Sequence, residues 1–305
     1  MKKRKFLALC FVLSLTAATV FSGCGSSSSS GGSKDISTVT SSGDSGSSDT
    51  GASASKEEVT IAEQVLYDAN NVKITATGLS EDDSWYGTSL TLLIENNSDQ
   101  SLTIQARNAN VNGYMVDTSM SANVAAGMKA NDSLIFETSG LEDCGIEQIA
   151  TMEFSFTMLN SDTFETVFDS DVITVNTSIA EGYTQTYDDS GTVLLDANGI
   201  KIVGKGLSTD DSFWGPGVIL YIENNSDQNI TVQTRDTSVN GFMVDSTISE
   251  SVLVGKKAIT AVQFYDSDLE SNGITDITSV NLSFHIFNAE SWDTILDSDS
   301  IAITF

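Results

Sequence analysis

Hydrophobic and polar residues alternate in short runs along most of this chain, and the runs come in two matching sets. Leu90, Leu92 and Ile94 alternate with Thr91, Leu93 and Glu95, the period of a strand with one buried face. ENNSDQ follows at 95–100, a cluster of turn residues whose short side chains bond their own backbone. Leu102, Ile104 and Ala106 then alternate with Thr103, Gln105 and Arg107, and Asn112-Gly113 marks another turn, because both residues tolerate positive φ. The spacing predicts strand, turn, strand, turn, strand over 90–117. Moved by 128 positions, LTLLIENNSDQSLTIQARNANVNGYMVD returns as VILYIENNSDQNITVQTRDTSVNGFMVD at 218–245.

The duplication extends further. Residues 65–177 and 193–305 align without a gap, with nearly half of the pairs identical. VKITATGLS places Val72, Ile74 and Ala76 on one face and returns as IKIVGKGLS. Residues 133–138 read as a strand, 118–130 as less regular chain. A short helical turn is expected in GLEDCGIEQI (140–149) and its copy DLESNGITDI (268–277). Met152, Phe154, Phe156 and Met158 form the inward set of a further strand, matched by Val280, Leu282, Phe284 and Ile286. TFETVFDSDVITV closes the first copy with two short strands around an Asp-Ser-Asp turn. Seven to nine short strands per copy, with no sustained helical period, predict an all-β chain. The expected architecture is two tandem immunoglobulin-like β-sandwich domains, at 57–178 and 183–305, each folding as its own unit.

The N-terminus differs in kind. MKKRK is a basic start, and FLALCFVLSLTAATVF an apolar run too short for a confident membrane span. Ser22-Gly23-Cys24 then resembles the lipobox of bacterial lipoproteins. The resemblance implies a signal peptide at 1–23 and a diacylated Cys24 that attaches the protein to the outer face of the cell membrane. Residues 24–56 are rich in Ser and Gly and bury too little apolar surface to order, so a disordered tether is expected. About 30 such residues reach roughly 30 Å.

Charge removes one class of partner. The 305 residues carry 42 acidic and 14 basic side chains, net -28, and such a surface repels phosphate backbones, so no nucleic-acid partner is expected. Of three cysteines, Cys10 lies in the leader and Cys24 at the processing site. Only Cys144 belongs to the repeats, where its counterpart is Asn272. A disulfide within each copy is therefore excluded, and Cys144 reads as an incidental thiol.

No catalytic residue and no cofactor are expected. His285 is the single histidine and cannot assemble a histidine-based zinc site or a triad alone. It reads as a solvated or edge residue. No motif of the GxSxG, HExxH, Walker or GxGxxG kind occurs in a supporting context. Asp82, Asp83, Asp210 and Asp211 fall in matched loops, as Asp169 and Asp171 match Asp297 and Asp299. Calcium is the sharper reading of these acids and turn-bonding Asp the plainer one, which is preferred because no EF-hand loop is present. Arg107 and Arg235 are matched too, and are expected to pair with an acid such as Asp117 or Glu95. Candidate recognition loops are 81–88 and 209–217, which carry Trp85-Tyr86 and Phe213-Trp214. One ring of each pair is expected to face solvent, suited to a protein or glycan ligand.

LLIENNSDQSLTIQARNANVNGYMVD, GMKANDSLIF and FDSD together look like a repeat of lipoproteins of Gram-positive gut bacteria. The repeat is similar to the immunoglobulin-like bacterial extracellular domains of unknown function, the class of the immunoprotective extracellular antigen, over 58–305. The resemblance implies the fold and assigns no activity. The expected function is that of a non-enzymatic, lipid-anchored cell-surface protein with a binding or presentation role in the envelope. Alternatives are an accessory or sensor ectodomain of a membrane transporter or enzyme and, less favoured, a hydrolase.

Overall fold

The computed structural model describes residues 58–81, 87–208 and 216–305. The first repeat contains strands β1 (Gln64–Ala69), β2 (Val72–Glu81), β3 (Thr88–Asn96), β4 (Leu102–Val111), β5 (Tyr114–Met115), β6 (Thr118–Ser119), β7 (Ala122–Val124) and β8 (Lys129–Phe136). Helix α1 (Thr138–Asp143) follows, then β9 (Thr151–Asn160), β10 (Thr166–Asp169) and β11 (Ile173–Asn176). The second repeat runs β12 (Thr192–Ala197), β13 (Ile200–Leu207), β14 (Gly217–Asn224), β15 (Ile230–Val239), β16 (Phe242–Met243), β17 (Ser246–Thr247), β18 (Glu250–Val252) and β19 (Lys257–Phe264). It closes with α2 (Asp266–Ser271), β20 (Ser279–Asn288), β21 (Thr294–Asp297) and β22 (Ile301–Thr304).

Each repeat is an immunoglobulin-like sandwich of two antiparallel sheets. One sheet of the first repeat has the order β1-β2-β3-β8-β6; the other has β10-β9-β4-β5, with β7 on β4 and β11 on β9. The second repeat repeats this order strand for strand. The alternation read from the sequence decides which side faces in. Val72, Ile74, Ala76, Leu90, Leu92, Ile94, Met152, Phe154, Phe156 and Met158 are all buried, as are Val280, Leu282, Phe284 and Ile286. The third strand expected after Asn112-Gly113 is β5; two further short strands, β6 and β7, lie in the stretch 118–130 that looked irregular, because two- and three-residue strands leave no readable period.

The helical turns begin two residues earlier than expected and end at Asp143 and Ser271. The rest of each ten-residue segment is turn. Gly145 has φ 62°, and its N–H donates to Glu142 O while that of Ile146 donates to Leu141 O. That pair of bonds is the left-handed cap that stops a helix at glycine.

The ENNSDQ turns are built around a fully buried amide. Asn96 Nδ2 donates to Gln100 O at 2.7 Å and Val124 O at 2.9 Å, and its Oδ1 accepts from the Ser98 N–H and hydroxyl. Asn224 repeats the set with Gln228, Val252 and Ser226. One side chain thus joins a turn of one sheet to the strand β7 or β18 of the other. Asn112 and Asn240, both with positive φ, similarly accept from backbone N–H groups that lead into β9 and β20. Replacing Asn96 by Ala takes the side-chain donor from the buried Val124 carbonyl and from that of the more exposed Gln100, and a loss of about 2 kcal/mol is expected. Asn96→Asp should lose nearly as much, since a carboxylate has no N–H to give. Urea unfolding midpoints of the two variants check this; a shift in neither would show that the amide is not structural.

Candidate functional site at the joint between the repeats

Residues 56–305 form one compact unit, and the two sandwiches meet in a built joint. The outer face of the β13-β14-β19 sheet is apolar where the first repeat has Thr75, Leu93 and Asn131: the corresponding residues are Val203, Tyr221 and Ile259. Val203 and Tyr221 are buried in the core cluster of the first repeat, with Ile259 packed against it. Met115 packs in turn against the core of the second. Beside them β5 meets β19 in parallel at Tyr114 and Lys257, which fuses one sheet from each repeat into a single eleven-stranded sheet.

The segment between the repeats ties the joint from both sides. Tyr187 packs edge-on against Tyr114 at 5.2 Å, and its hydroxyl donates to Asn112 O at 2.8 Å. Lys257 Nζ lies 4.2 Å from the centre of the same ring. Gly113 is required here: it has φ 89°, and a Cβ would come within 2.7 Å of the Tyr187 hydroxyl. Gln185 accepts from Asn112 Nδ2. Asp188 and Asp189 bind Lys205 and Lys201 of the second repeat at 2.8 and 2.7 Å. The Lys205 ammonium, together with Ser190, holds the Asp188 carboxyl well below the usual carboxylate range. Across the joint Lys256 bonds Glu153, which also accepts from Asn110. Burial acts to raise the Glu153 carboxyl, but Lys256 and Asn110 outweigh it and hold it low.

Beside these contacts lies a cleft of about 970 Å³ walled by both repeats, with Arg107, Asp117 and Cys144 on one side and Glu250 and Thr260 on the other. Glu250 stands where the first repeat has buried Ala122. Burial pushes its carboxyl up to about 7; Asp117 adds to the rise, and a hydrogen bond with Thr260 opposes it. Burial also pushes the Cys144 thiol up to about 12, so it carries almost no thiolate at neutral pH and is no nucleophile. The cleft offers polar contacts and one carboxyl that titrates near neutrality.

The residues singled out from the sequence fall in three places. Cys24, the ring pairs Trp85-Tyr86 and Phe213-Trp214, and Asp82, Asp83, Asp210 and Asp211 lie outside the described residues. Asp169 and Asp171 flank Ser170, whose N–H and hydroxyl engage β9; among the described residues no group of three His, Cys, Asp or Glu is placed to hold a metal ion. Arg235 pairs with an acid across the sheet as expected, Asp297 at 3.5 Å. Arg107 differs and donates to Gln105; Glu95 is taken by Lys129 and Asp117 faces the cleft.

His285 is not solvated: it is 9% exposed. β21 runs beside β20 with Asp297 opposite His285, and Asp297 Oδ1 sits 2.6 Å from His285 Nδ1. The sequence period put this residue on the outer face correctly but could not show that face being covered. The joint was the other feature missed. Its signal lay in the three outer-face positions that turn apolar in only one copy.

No protein-family model matches this chain, and no curated protein matches it. Among solved structures, the YadV chaperone aligns over 77% of this chain and 100% of its own, at 11% identity and a TM-score of 0.23. The Salmonella enterica SafA pilin in complex with the SafB chaperone aligns over 78% and 98%, at 9% identity and 0.22. A chaperone–tip adhesion subunit complex, CsuC–CsuE of Acinetobacter baumannii, aligns over 71% and 91%, at 12% identity and 0.20. At these scores the alignments carry no argument about function.

Glu250 makes the joint sensitive to pH. Its folded pKa lies above the unfolded value, so the folded state holds the proton longer. Stability is then full below about pH 4.5, falls as pH rises towards 7, and levels off above. The ceiling on this loss is about 3 kcal/mol, at 1.36 kcal/mol for each pK unit. Glu250→Gln should raise the melting temperature at pH 8 and leave it nearly unchanged at pH 4.5. Equal effects at both values would show that the carboxyl does not titrate in the folded protein.

Proposed function

We propose that this chain is a non-enzymatic, lipid-anchored protein of the bacterial envelope whose paired sandwiches bind or present a ligand on the outer face of the membrane. The observation that carries the binding role is the joint: two copies of one sandwich are held as a single body, and both wall the same polar cleft. A ligand seated there would touch both repeats and be oriented by their fixed relation. A pocket of several hundred Å³ with a few convergent polar groups suits a small molecule or a short segment of a larger one.

Anchoring rests on Ser22-Gly23-Cys24 after a basic start and an apolar run. Two acyl chains on Cys24 give a stable attachment where one would be marginal. A second reading, a sensor or accessory ectodomain, is favoured by Glu250 alone, since a carboxyl titrating near neutral pH between two repeats couples their packing to the medium.

Cys24→Ala should move the protein from the membrane fraction into the medium. Fractionation followed by immunoblotting reads this directly. Retention of the variant in the membrane fraction would remove the lipoprotein reading, whatever the cleft binds.

A further inference from the structure

Among the described residues nine that are not glycine have positive φ, and seven of these are Asn or Asp. Those two residues bond locally and enter the left-handed region at small cost. The other two are Phe164, at φ 58°, and Trp292, at φ 65°. They occupy the same position of the two repeats, in the turn after β9 and after β20.

The turn itself explains the φ and not the aromatic ring. Asn160 Oδ1 accepts from the N–H groups of Asp162 and Thr163, and the Phe164 N–H donates to Asn160 O at 2.8 Å. Asn288 does the same with Glu290, Ser291 and Trp292. A residue closing such a turn must be left-handed, and glycine or asparagine would do so with less strain. Core burial does not account for the rings either: Phe164 is 72% exposed and Trp292 73%. Neither local conformation nor the interior therefore selects them, and both copies carry one.

Trp292 is also held in place. It stacks on Phe287 with centroids 5.4 Å apart and 15° between the planes. Phe287 is buried and lies 5.2 Å from the His285 ring. One face of the indole is backed by protein and the other is open. The neighbours of each ring along the chain are polar or acidic: Asp162, Thr163 and Glu165 in one turn, Glu290, Ser291 and Asp293 in the other.

We propose that Phe164 and Trp292 are stacking platforms for the sugar rings of an uncharged polysaccharide, one platform on each repeat. The C–H face of a pyranose carries slight positive charge and lies flat on the negative face of an aromatic ring. Flanking acids accept hydrogen bonds from hydroxyls and repel polyanions, in a chain of net charge -28. A single ring on a polar turn is too small for the core of a protein interface, which needs about 800 Å² on each side. Two platforms on one body suit a repeating polymer, because the second contact is made within the same complex. The inference rests on the envelope reading only for where such a polymer is met.

The test uses the full chain, purified in detergent, and a set of insoluble uncharged polysaccharides (chitin, cellulose, starch and mannan) as the probes. Co-sedimentation with at least one of them should be strong for the parent. Phe164→Gly and Trp292→Gly should each lower affinity at least about tenfold, since two-point attachment is lost, and the double variant should not sediment. Trp292→Tyr should retain binding. Phe164→Gly puts glycine where the backbone favours it, so its melting temperature should hold or rise. Three results would overturn the proposal: a double variant that sediments like the parent, a parent that sediments with none of the probes, or a Phe164→Gly variant that melts several degrees lower. The assay needs no membrane, so its failure is separate from failure of the Cys24 anchor.

Discussion

Val203 and Tyr221 stand on the face of their sheet that points away from their own core, and burying them turns two sandwiches into one body. Each is almost fully removed from water by the first repeat. Burying large side chains of this kind contributes about 1.5–3 kcal/mol apiece. The remaining features of the joint follow from seating that face. β5 can meet β19 only when the sheet lies against the end of the first sandwich. Tyr187 then has a wall to pack on, and Lys256 reaches Glu153. The cleft is the space left where the two curved surfaces part.

The same packing explains why the charges sit where they do. A chain with three acids for each base has few cations to spend, and those of the second repeat are concentrated at the joint. Lys201, Lys205, Lys256 and Lys257 are all engaged there, with Asp189, Asp188, Glu153 and Glu223. Buried polar groups elsewhere find partners: among the described residues no buried side-chain nitrogen or oxygen lacks a hydrogen bond. Glu250 is the unusual case. It has Thr260 for a hydrogen bond but faces a carboxylate across the cleft, so its proton takes the place of a counter-charge.

The sandwich was legible because one period runs through every long strand. A period of two needs only four or five residues to show itself, and Met152–Met158 or Leu90–Ile94 supply them. The ENNSDQ and Asn-Gly turns were legible because their chemistry is local. What escaped depends on more than one segment. His285 reads as outward, and is, but the Asp297 side chain of the neighbouring β21 and the Phe287 ring pack against it. β6 and β7 are too short to carry a pattern. The joint could be read only by setting the copies against each other and noticing that Thr75, Leu93 and Asn131 become Val203, Tyr221 and Ile259. The turn aromatics Phe164 and Trp292 were visible in the same comparison, yet nothing in sequence alone says that their backbone is left-handed or their rings exposed.

The joint also sets how many units such an array can hold. At the far end of the second repeat, Phe242 and Met243 are the counterparts of Tyr114 and Met115, and both are exposed. A third sandwich could sit there only with an apolar outer face of the kind that carries Val203, Tyr221 and Ile259. The first repeat of another copy offers Thr75 and Asn131 at those positions, with Leu93 the single apolar member. The head of one molecule therefore does not match the tail of the next. Heterologous contacts that repeat without closing grow filaments; here the accepting pair is apolar in both repeats while the donating face is apolar in only the second, so another copy lacks the face that would continue the array.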